Sequence, residues 1–382
     1  MKRLAIVTSH PIQYYAPLFK LLAKSIDLKV FYTAGGGVNE SQFESGFGRE
    51  IKWDIPLLDG YEYEFVPNSA QNASTDNFNG IINPTLFSRI NTFNPHALLV
   101  YGWAYKSHLK VLINFKGKIP VWFRGDSTLI TNQTGIKKLL RNQFLKWVYK
   151  HVDIAFYVGT ANKAYFLNAG MKIEQLRFAP HAVDNERFTA DRRAEALSFR
   201  QSINLSKDDI MILFVGKLDE NKQPDLLLNS FISLNLPHTH LIYVGDGPLK
   251  NELMVKAKAH ERIHFLEFQN QNQMPIFYQA SDLTCLPSKN ETWGLAINEA
   301  MAGGNAILTS SNVGCAIDLV KEGRNGAIFQ FDNSESLKSK LKLLTKNKEV
   351  LLEMGRQSKA IISSWNYEKQ ATAILNELDA TN

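Results

Sequence analysis

The interpretation of this fold depends on one stretch, Ser288-Lys-Asn-Glu291-Thr-Trp-Gly294-Leu-Ala-Ile-Asn-Glu299-Ala-Met-Ala-Gly303-Gly304. An apolar strand, residues 283–286, leads through a proline into a polar loop that carries Glu291. Gly294 then begins a predicted helix that carries Glu299, and five helical residues give a rise of about 7.5 Å. One carboxylate is therefore expected at the mouth of a site, and the other about a turn and a half inside the helix.

Backbone N–H groups at the start of that helix lie between the two carboxylates in this pattern. Such groups favour an anion such as phosphate. Two acceptor groups flanking an anion site suit a ligand with both hydroxyls and phosphates, and a nucleotide sugar is such a ligand. Considered alone, Glu291 could also be a solvated loop residue and Glu299 a residue of a surface helix.

Length and composition set the class of protein. The 382 residues predict two domains, and 45% hydrophobic with 21% charged residues is typical of a soluble globular protein. No apolar run approaches the roughly 20 residues that span a bilayer, and residues 1–10 read as a first strand rather than a signal peptide. Two cysteines in apolar surroundings, Cys285 and Cys315, fit a reducing cytoplasm.

The net charge of +6 permits nucleic acid, an anionic membrane or phosphorylated ligands as partners. No nucleic-acid-binding motif accompanies that charge, so no nucleic-acid partner is expected.

The first half alternates short apolar strands with turns and helices, which predicts a doubly wound α/β domain. Ligands bind such domains outside the carboxyl ends of the strands. That rule makes His10 and Asp126 candidate catalytic or acceptor-side residues, because each follows an apolar strand. His10, next to Pro11, could instead cap a turn, and Asp126 could be the N-cap of a helix after Ser127.

Residues 136–150 form a predicted basic helix. Its apolar positions are Ile136, Leu139, Leu140, Phe144, Trp147 and Val148. A basic helix of this kind is suited to contact with an anionic membrane surface. The favoured interpretation is an ordinary surface helix whose apolar stripe packs on the sheet.

Two further stretches bear on the domain organisation. Residues 47–65 are aromatic and acidic, are interrupted by Pro and Gly, and are interpreted as an insertion in the first domain. The charged stretch from Asp184 to about Lys207 is the predicted linker, and the strand–helix alternation restarts at residues 210–215.

After that strand, Gly216 is followed by Lys217 and, five residues later, by Lys222. A glycine turn with two ammonium groups ahead of a helix suits a diphosphate. Further along, the loop Phe268-Gln269-Asn270 follows a strand and is a candidate cover for a nucleobase.

In these motifs the chain resembles the retaining glycosyltransferases of family 4, in the glycosyl transferases group 1, which have the GT-B fold. The family pattern is matched in order from residue 215 to residue 329. The matching elements are Gly216-Lys217-Leu218 with Lys222, Gly245-Asp-Gly-Pro248, Leu286-Pro-Ser288, Glu291 with Glu299, Ala300-Met-Ala-Gly303 and Arg324-Asn-Gly326. Lys217 stands where the family usually has arginine, which removes bidentate geometry.

The resemblance implies two Rossmann-like doubly wound α/β domains facing each other across a cleft. The expected organisation is an acceptor-side domain over residues 1–185, a linker over 186–207, a nucleotide-sugar-binding domain over 208–364, and a C-terminal helix over 365–382 that crosses back to the first domain.

The resemblance also implies residue roles. Glu299 would bind the ribose of the donor, Glu291 would contact the transferred sugar, and the backbone around Trp293, Gly294 and Leu295 would meet sugar and diphosphate. Lys217 and Lys222 would neutralise the leaving diphosphate, so neither a metal nor another cofactor is expected. Asp126 is placed by context where the family often has histidine.

The expected activity is transfer of a hexose-type sugar from a nucleoside diphosphate sugar to a hydroxyl of a glycan or lipid-linked glycan, with retention of configuration. Surface polysaccharide biosynthesis is the expected pathway, in the cytoplasm and peripherally on the inner membrane face. Two alternatives are an epimerase acting on the free nucleotide sugar and a non-catalytic protein that binds it.

Overall fold

The computed structural model describes residues 1–36, 42–44, 49–130 and 135–381. The chain forms two compact units. Unit 1 contains Met1–Gln42, Ile55–His181 and Tyr367–Asn382, and unit 2 contains Phe43–Asp54 and Ala182–Asn366. The chain therefore enters unit 2 twice, first for a short segment and then for most of the second half.

The first 181 residues supply nine strands and five α-helices among the described residues. In chain order they are β1 (Arg3–Thr8), α1 (Ala16–Leu22), β2 (Asp27–Tyr32), β3 (Gln42–Glu44), β4 (Arg49–Ile51), β5 (Glu62–Phe65), α2 (Leu86–Phe93), β6 (Ala97–Tyr101), α3 (Lys106–Phe115), β7 (Val121–Arg124), α4 (Gly135–Tyr149), β8 (Ile154–Tyr157), α5 (Thr160–Asn168) and β9 (Leu176–Phe178). Seven of the strands form a parallel sheet in the order β5-β2-β1-β6-β7-β8-β9, and β3 pairs with β4.

The remaining residues supply the second sheet and its helices. They are α6 (Asn185–Thr189), α7 (Arg193–Ser202), β10 (Ile210–Val215), α8 (Pro224–Leu234), β11 (Thr239–Val244), α9 (Lys250–Ala257), β12 (Ile263–Leu266), α10 (Met274–Ala280), β13 (Leu283–Leu286), α11 (Leu295–Gly303), β14 (Ala306–Ser310), α12 (Ala316–Leu319), β15 (Gly326–Phe329), α13 (Ser334–Leu344), α14 (Lys348–Ile362) and α15 (Tyr367–Asp379). The strands are parallel in the order β12-β11-β10-β13-β14-β15.

Continuous apolar runs form the central strands of both sheets. Leu4–Val7 in β1, Leu98–Val100 in β6 and Met211–Phe214 in β10 are all fully buried. Burial on both faces is what helices packed on each side of a parallel sheet produce. The two sheets therefore have the doubly wound α/β architecture expected from the sequence.

The C-terminal helix α15 belongs to unit 1, where it packs against α1. The Lys2 ammonium donates to the carbonyls of Leu378 and Asp379 at 2.9 and 3.0 Å. Arg177 in β9 pairs with the carboxylate of Glu377 at 2.5 Å. The two ends of the sequence are thus held together in one unit.

The structure corrects the interpretation of residues 47–65 as an insertion. Residues 47 and 48 lie outside the described residues, but Glu62–Phe65 is strand β5, the edge strand of the first sheet, paired with β2. The alternating aromatic residues Tyr61, Tyr63 and Phe65 follow the two-residue period of a strand, so this part is an integral element.

Residues 186–207, predicted as a linker, contain α7 and most of α6, and both helices belong to unit 2. Within the described residues, no helix has both the length and the apolar character that crossing a membrane requires.

Candidate functional site

Four loops of unit 2 follow the carboxyl ends of neighbouring strands β10, β11, β12 and β13. Two of these loops pack backbone to backbone. A side-chain carbon at Gly245 would lie 2.0 Å from the Gly216 carbonyl oxygen, and one at Gly247 would lie 2.5 Å from the Leu218 carbonyl oxygen. The 245–248 turn therefore supports the 216–222 loop from behind, which fixes the loop that carries both candidate lysines.

Lys222 and Glu291 form an ion pair that joins the loops after β10 and β13. The Lys222 side chain passes over Gly216, and the Ser288 hydroxyl donates to Glu291 at 3.4 Å. The loops are also connected by Asn221, whose amide nitrogen donates to the Asn290 carbonyl at 2.8 Å. Both side chains of the ion pair are about four-fifths buried, which strengthens their attraction relative to a surface pair.

Lys217 lies half-buried in the same loop, directly after Gly216. The structure thus brings Lys222 and Glu291 together beside Gly216, although Glu291 is 69 residues from Lys222 in sequence.

Gly294 is the N-cap of α11, as the sequence predicts, with a left-handed φ of 102°. A side-chain carbon there would lie 3.0 Å from Val313 Cγ1 and 3.2 Å from Leu286 Cδ2. Glycine is therefore favoured for both backbone conformation and space. Leu295 begins the helix, so its first-turn N–H groups follow directly after the loop that carries Glu291.

Trp293 is buried rather than open to a ligand, with a relative exposure of 2%. Its indole N–H donates to Asn298 at 2.9 Å, and its ring lies 5.3 Å from that of Trp365. The side chain anchors the loop in the core of unit 2. Of the predicted donor contacts at this residue, only those of the backbone are compatible with this position.

The second glutamate, Glu299, lies on α11 with a relative exposure of 3%. Its carboxylate accepts a hydrogen bond of 2.8 Å from the hydroxyl of Tyr278 in α10. Tyr278 was not identified from the sequence, because a tyrosine in an apolar helix gives no signal that its hydroxyl faces a carboxylate. Contact between Glu299 and a ribose stays a prediction.

The loop after β12 contains the three predicted base-covering residues Phe268, Gln269 and Asn270. The Phe268 N–H donates to the Asp246 carboxylate at 3.0 Å, which connects this loop to the 245–248 turn. The side chain of Asn270 contacts the backbone of residues 52 and 54, which belong to the short segment of unit 2. No motif around Asn270 predicts that contact.

In unit 1, His10 follows β1, and its Nδ1 lies 3.0 Å from the Ser9 hydroxyl. Burial lowers the pKa of His10, so the imidazole is neutral near pH 7. A neutral imidazole next to a hydroxyl has the chemistry of a proton acceptor or a hydrogen-bond partner.

Asp126 lies two residues after the end of β7, and its carboxylate is 3.9 Å from Nε2 of the buried His181. The His181 ring is parallel to that of Tyr15, with centroids 6.5 Å apart. Burial lowers the pKa of His181, while Asp126 opposes this shift. His181 was not singled out from the sequence, because β9 carries it to Asp126 from 55 residues away.

The interpretation of Asp126 as an N-cap after Ser127 is wrong, because residues 125–130 are not helical and α4 begins at Gly135. The preceding Arg124 is buried and donates to the carbonyls of Ala179 and Pro180 at 2.9 and 3.2 Å. Arg124 therefore holds the chain just before His181 in place.

The structure also overturns the favoured interpretation of the basic helix. Of the six apolar positions named from the sequence, only Val148 is buried, together with Leu145 and Tyr149. The other five form an outward stripe: Ile136, Leu139, Leu140, Phe144 and Trp147, with relative exposures from 39% to 77%.

No three His, Cys, Asp or Glu side chains converge as metal ligands in the part of the chain that the structure describes.

Residues 196–361 match the family model described as glycosyl transferases group 1. The sulfoquinovosyl transferase SQD2 of Arabidopsis thaliana is 23% identical over 310 residues, which is 78% of this chain and 59% of that protein. A D-inositol 3-phosphate glycosyltransferase of Nocardia farcinica is 25% identical over 223 residues, which is 55% of this chain and 49% of that protein. The matches thus span less than two thirds of either relative.

A crystal structure of Anabaena Alr3699/HepE in complex with UDP superposes on this chain with a TM-score of 0.76 at 17% identity, and each chain is covered to 100%. At this identity the likeness concerns the fold alone. It confirms the expected GT-B fold class of two Rossmann-like units.

Proposed function

Because residues 196–361 match the family model of the glycosyl transferases group 1, we propose that this protein is a glycosyltransferase that uses a nucleoside diphosphate sugar. The observation that carries the proposal is the Lys222–Glu291 pair, whose glutamate lies on the loop that leads into the first turn of α11. A cation, an acceptor of sugar hydroxyls and helix N–H groups meet there, as a sugar diphosphate requires. The protein would be a family 4 enzyme that retains anomeric configuration.

The donor side of the proposal concerns the diphosphate. Negative charge develops on it as the bond to the sugar breaks, and Lys222 and Lys217 stabilise that charge without a metal or other cofactor. The Lys222 ammonium exchanges part of its contact with Glu291 for the phosphate, and Glu291 then accepts from a sugar hydroxyl. The leaving diphosphate takes the acceptor proton.

The acceptor side is assigned to unit 1. Asp126 and His10 are the candidates for contact with the acceptor hydroxyl, because each follows a central strand at its carboxyl end. The proximity of Asp126 to His181 supports a contact between Asp126 and the acceptor hydroxyl. The neutral imidazole of His10 supports the same role for His10.

The acceptor is proposed to be a glycan or a lipid-linked glycan of surface polysaccharide biosynthesis. The outward stripe of α4 supports a location on the cytoplasmic face of a membrane, where a lipid-linked acceptor would lie. Lys137, Arg141, Lys146 and Lys150 accompany this stripe, so apolar insertion and attraction to anionic lipids act together.

A screen of nucleotide sugars against the purified protein tests the function. One sugar nucleotide is expected to raise the Tm, and its nucleoside diphosphate is expected to be released with a glycan or lipid-linked acceptor. Conversion of the sugar nucleotide to an epimer without acceptor would contradict the proposal in favour of an epimerase. Binding without turnover on any acceptor would contradict it in favour of a binding protein.

A further inference from the structure

Residues 52–54 pair with the 267–272 loop of unit 2, and they end the short segment of unit 2 directly before the chain returns to unit 1 at Ile55. The Asn270 amide nitrogen donates to the Lys52 carbonyl at 2.6 Å, and its amide oxygen accepts from the Asp54 N–H at 3.3 Å. One side chain therefore satisfies a carbonyl and an N–H two residues apart.

Asn272 continues this pairing. Its backbone N–H donates to the Asp54 carboxylate at 3.1 Å, and its side-chain nitrogen donates to the Asp54 carbonyl at 2.9 Å. Residues 52 and 54 thus meet residues 270 and 272, with the two-residue period of neighbouring strands. The side chain of Trp53, which lies between them, takes no part in these four hydrogen bonds.

Trp53 contacts Phe268, with ring centroids 6.1 Å apart and planes at 68°. An edge-to-face arrangement of this kind is a favourable geometry for two aromatic rings. The backbone of Phe268 is also held by its N–H bond to Asp246, whose carboxylate pairs with Lys250 at 2.6 Å. The pairing of residues 52–54 therefore acts on the first residue of the predicted base-covering loop.

We propose that residues 52–54 hold the 267–272 loop in the conformation that binds the base of a nucleoside diphosphate. Trp53 and Asp54 are positioning residues in this proposal, which rests on the proposed function. Trp53 sets the orientation of Phe268, and Asp54 fixes Asn272, so that a base meets a loop that is already ordered. Ordering a loop before a ligand binds removes part of the entropy cost of binding.

Calorimetric titrations with UDP, GDP and inorganic pyrophosphate test this inference. Asp54→Ala removes the carboxylate that accepts from the Asn272 N–H. This variant is expected to raise the Kd of the preferred nucleotide about tenfold. The ratio between the UDP and GDP affinities is expected to shrink. Pyrophosphate affinity is expected to stay unchanged, because both lysines are retained. A change restricted to base-containing ligands distinguishes loop positioning from general destabilisation.

Matched variants complete the test. Asp54→Asn keeps an oxygen for the Asn272 N–H and is expected to restore most of the affinity. Asp59→Ala removes an exposed carboxylate outside this pairing and is expected to leave all three affinities unchanged. Should Asp54→Ala fail to fold, Asn272→Ala removes the other bond of this pairing, the one from the Asn272 side chain to the Asp54 carbonyl. Trp53→Leu tests the aromatic contact.

If the folded Asp54→Ala and Trp53→Leu variants keep the nucleotide affinity and the base preference, the positioning role of residues 52–54 is overturned and the proposed function stands. If the unmodified protein binds neither nucleotide nor pyrophosphate, the proposed function fails instead.

Discussion

At the scale of single residues, the Lys222–Glu291 pair is the feature on which the proposed chemistry depends. The two residues lie on different loops, and the pair fixes the ammonium group next to Gly216. A lysine free in solvent would lose more rotamer entropy on binding a phosphate than one already held in place.

Replacing Lys222 tests its role in the departure of the diphosphate. For Lys222→Ala we expect kcat/KM to fall by about 10²–10³-fold, as when one charge-stabilising donor is removed from an enzyme site. Steady-state release of nucleoside diphosphate measures this effect. Lys258→Ala, an exposed lysine of the same unit, is the control and should keep full activity. Full activity of Lys222→Ala would contradict a role for Lys222 in stabilising the leaving diphosphate.

Glu299 gives a second prediction at this scale. Its buried carboxylate accepts from Tyr278, and Glu299→Gln keeps the size and an acceptor but removes the charge. We expect the Kd for the donor to rise about tenfold if the carboxylate also binds the ribose hydroxyls, because hydrogen bonds to charged groups are worth about 1.5–3 kcal/mol. Calorimetry measures the Kd.

Tyr278→Phe is the matched variant for Glu299→Gln, since it removes the internal hydrogen bond and keeps the charge. A donor Kd that is unchanged in Glu299→Gln but raised in Tyr278→Phe would assign Glu299 a role in packing rather than in binding.

At the scale of elements, α4 has two apolar faces. Leu145, Val148 and Tyr149 pack inward, while the outward stripe lies on the opposite side of the helix. No acidic residue occurs between residues 135 and 150. Exposed apolar groups accompanied by cations are typical of helices that lie in a membrane interface.

Vesicle binding tests this surface. The protein is expected to sediment with phosphatidylglycerol vesicles and much less with phosphatidylcholine vesicles, because the cations add attraction only for anionic lipid. Leu140→Asp is expected to lower binding at least tenfold. Leu343→Asp on α13 changes a leucine of similar exposure, 58% against 65%, and is expected to bind normally.

Two outcomes would contradict a membrane role for α4. One is equal binding of the unmodified protein and Leu140→Asp. The other is loss of self-association in Leu140→Asp by analytical ultracentrifugation without any effect on vesicle binding, which would assign the stripe to a second copy of the chain.

At the scale of the whole molecule, buried histidines couple stability to pH. Burial lowers the pKa of His10 and His181, and that of His108 and His240 to about 4. In the unfolded chain these histidines become protonated below about pH 6.5. In the folded protein they stay neutral until the pH reaches their lower folded pKa. The stability from this source is therefore present above pH 6.5 and is lost as the pH falls.

His108 illustrates the size of the effect because it is fully buried in unit 1. With a folded pKa of about 4, this residue alone lowers the free energy of unfolding by about 2 kcal/mol between pH 7 and pH 5. Urea unfolding at both pH values measures the difference. His108→Asn is expected to reduce the pH dependence by about that amount, and an unchanged dependence would contradict this assignment.

The sequence alone determined the class of fold and the donor-side motifs. Runs such as Leu4–Val7 and Ile210–Val215 are too apolar for any place but the interior of a parallel sheet. Gly294 before α11 could also be predicted, since helix starts depend on local backbone geometry. Lys222 and Glu291 were recognised by their order along the chain.

Only the tertiary structure decided which residues meet across long separations. The contacts of Glu299 with Tyr278, of Asp126 with His181 and of Asp54 with Asn272 depend on the order of strands and on loop packing. The outward stripe of α4 departs from the predicted packing on the sheet for the same reason. An apolar period shows that a helix has an apolar face, but the neighbours that the fold provides determine whether that face is covered.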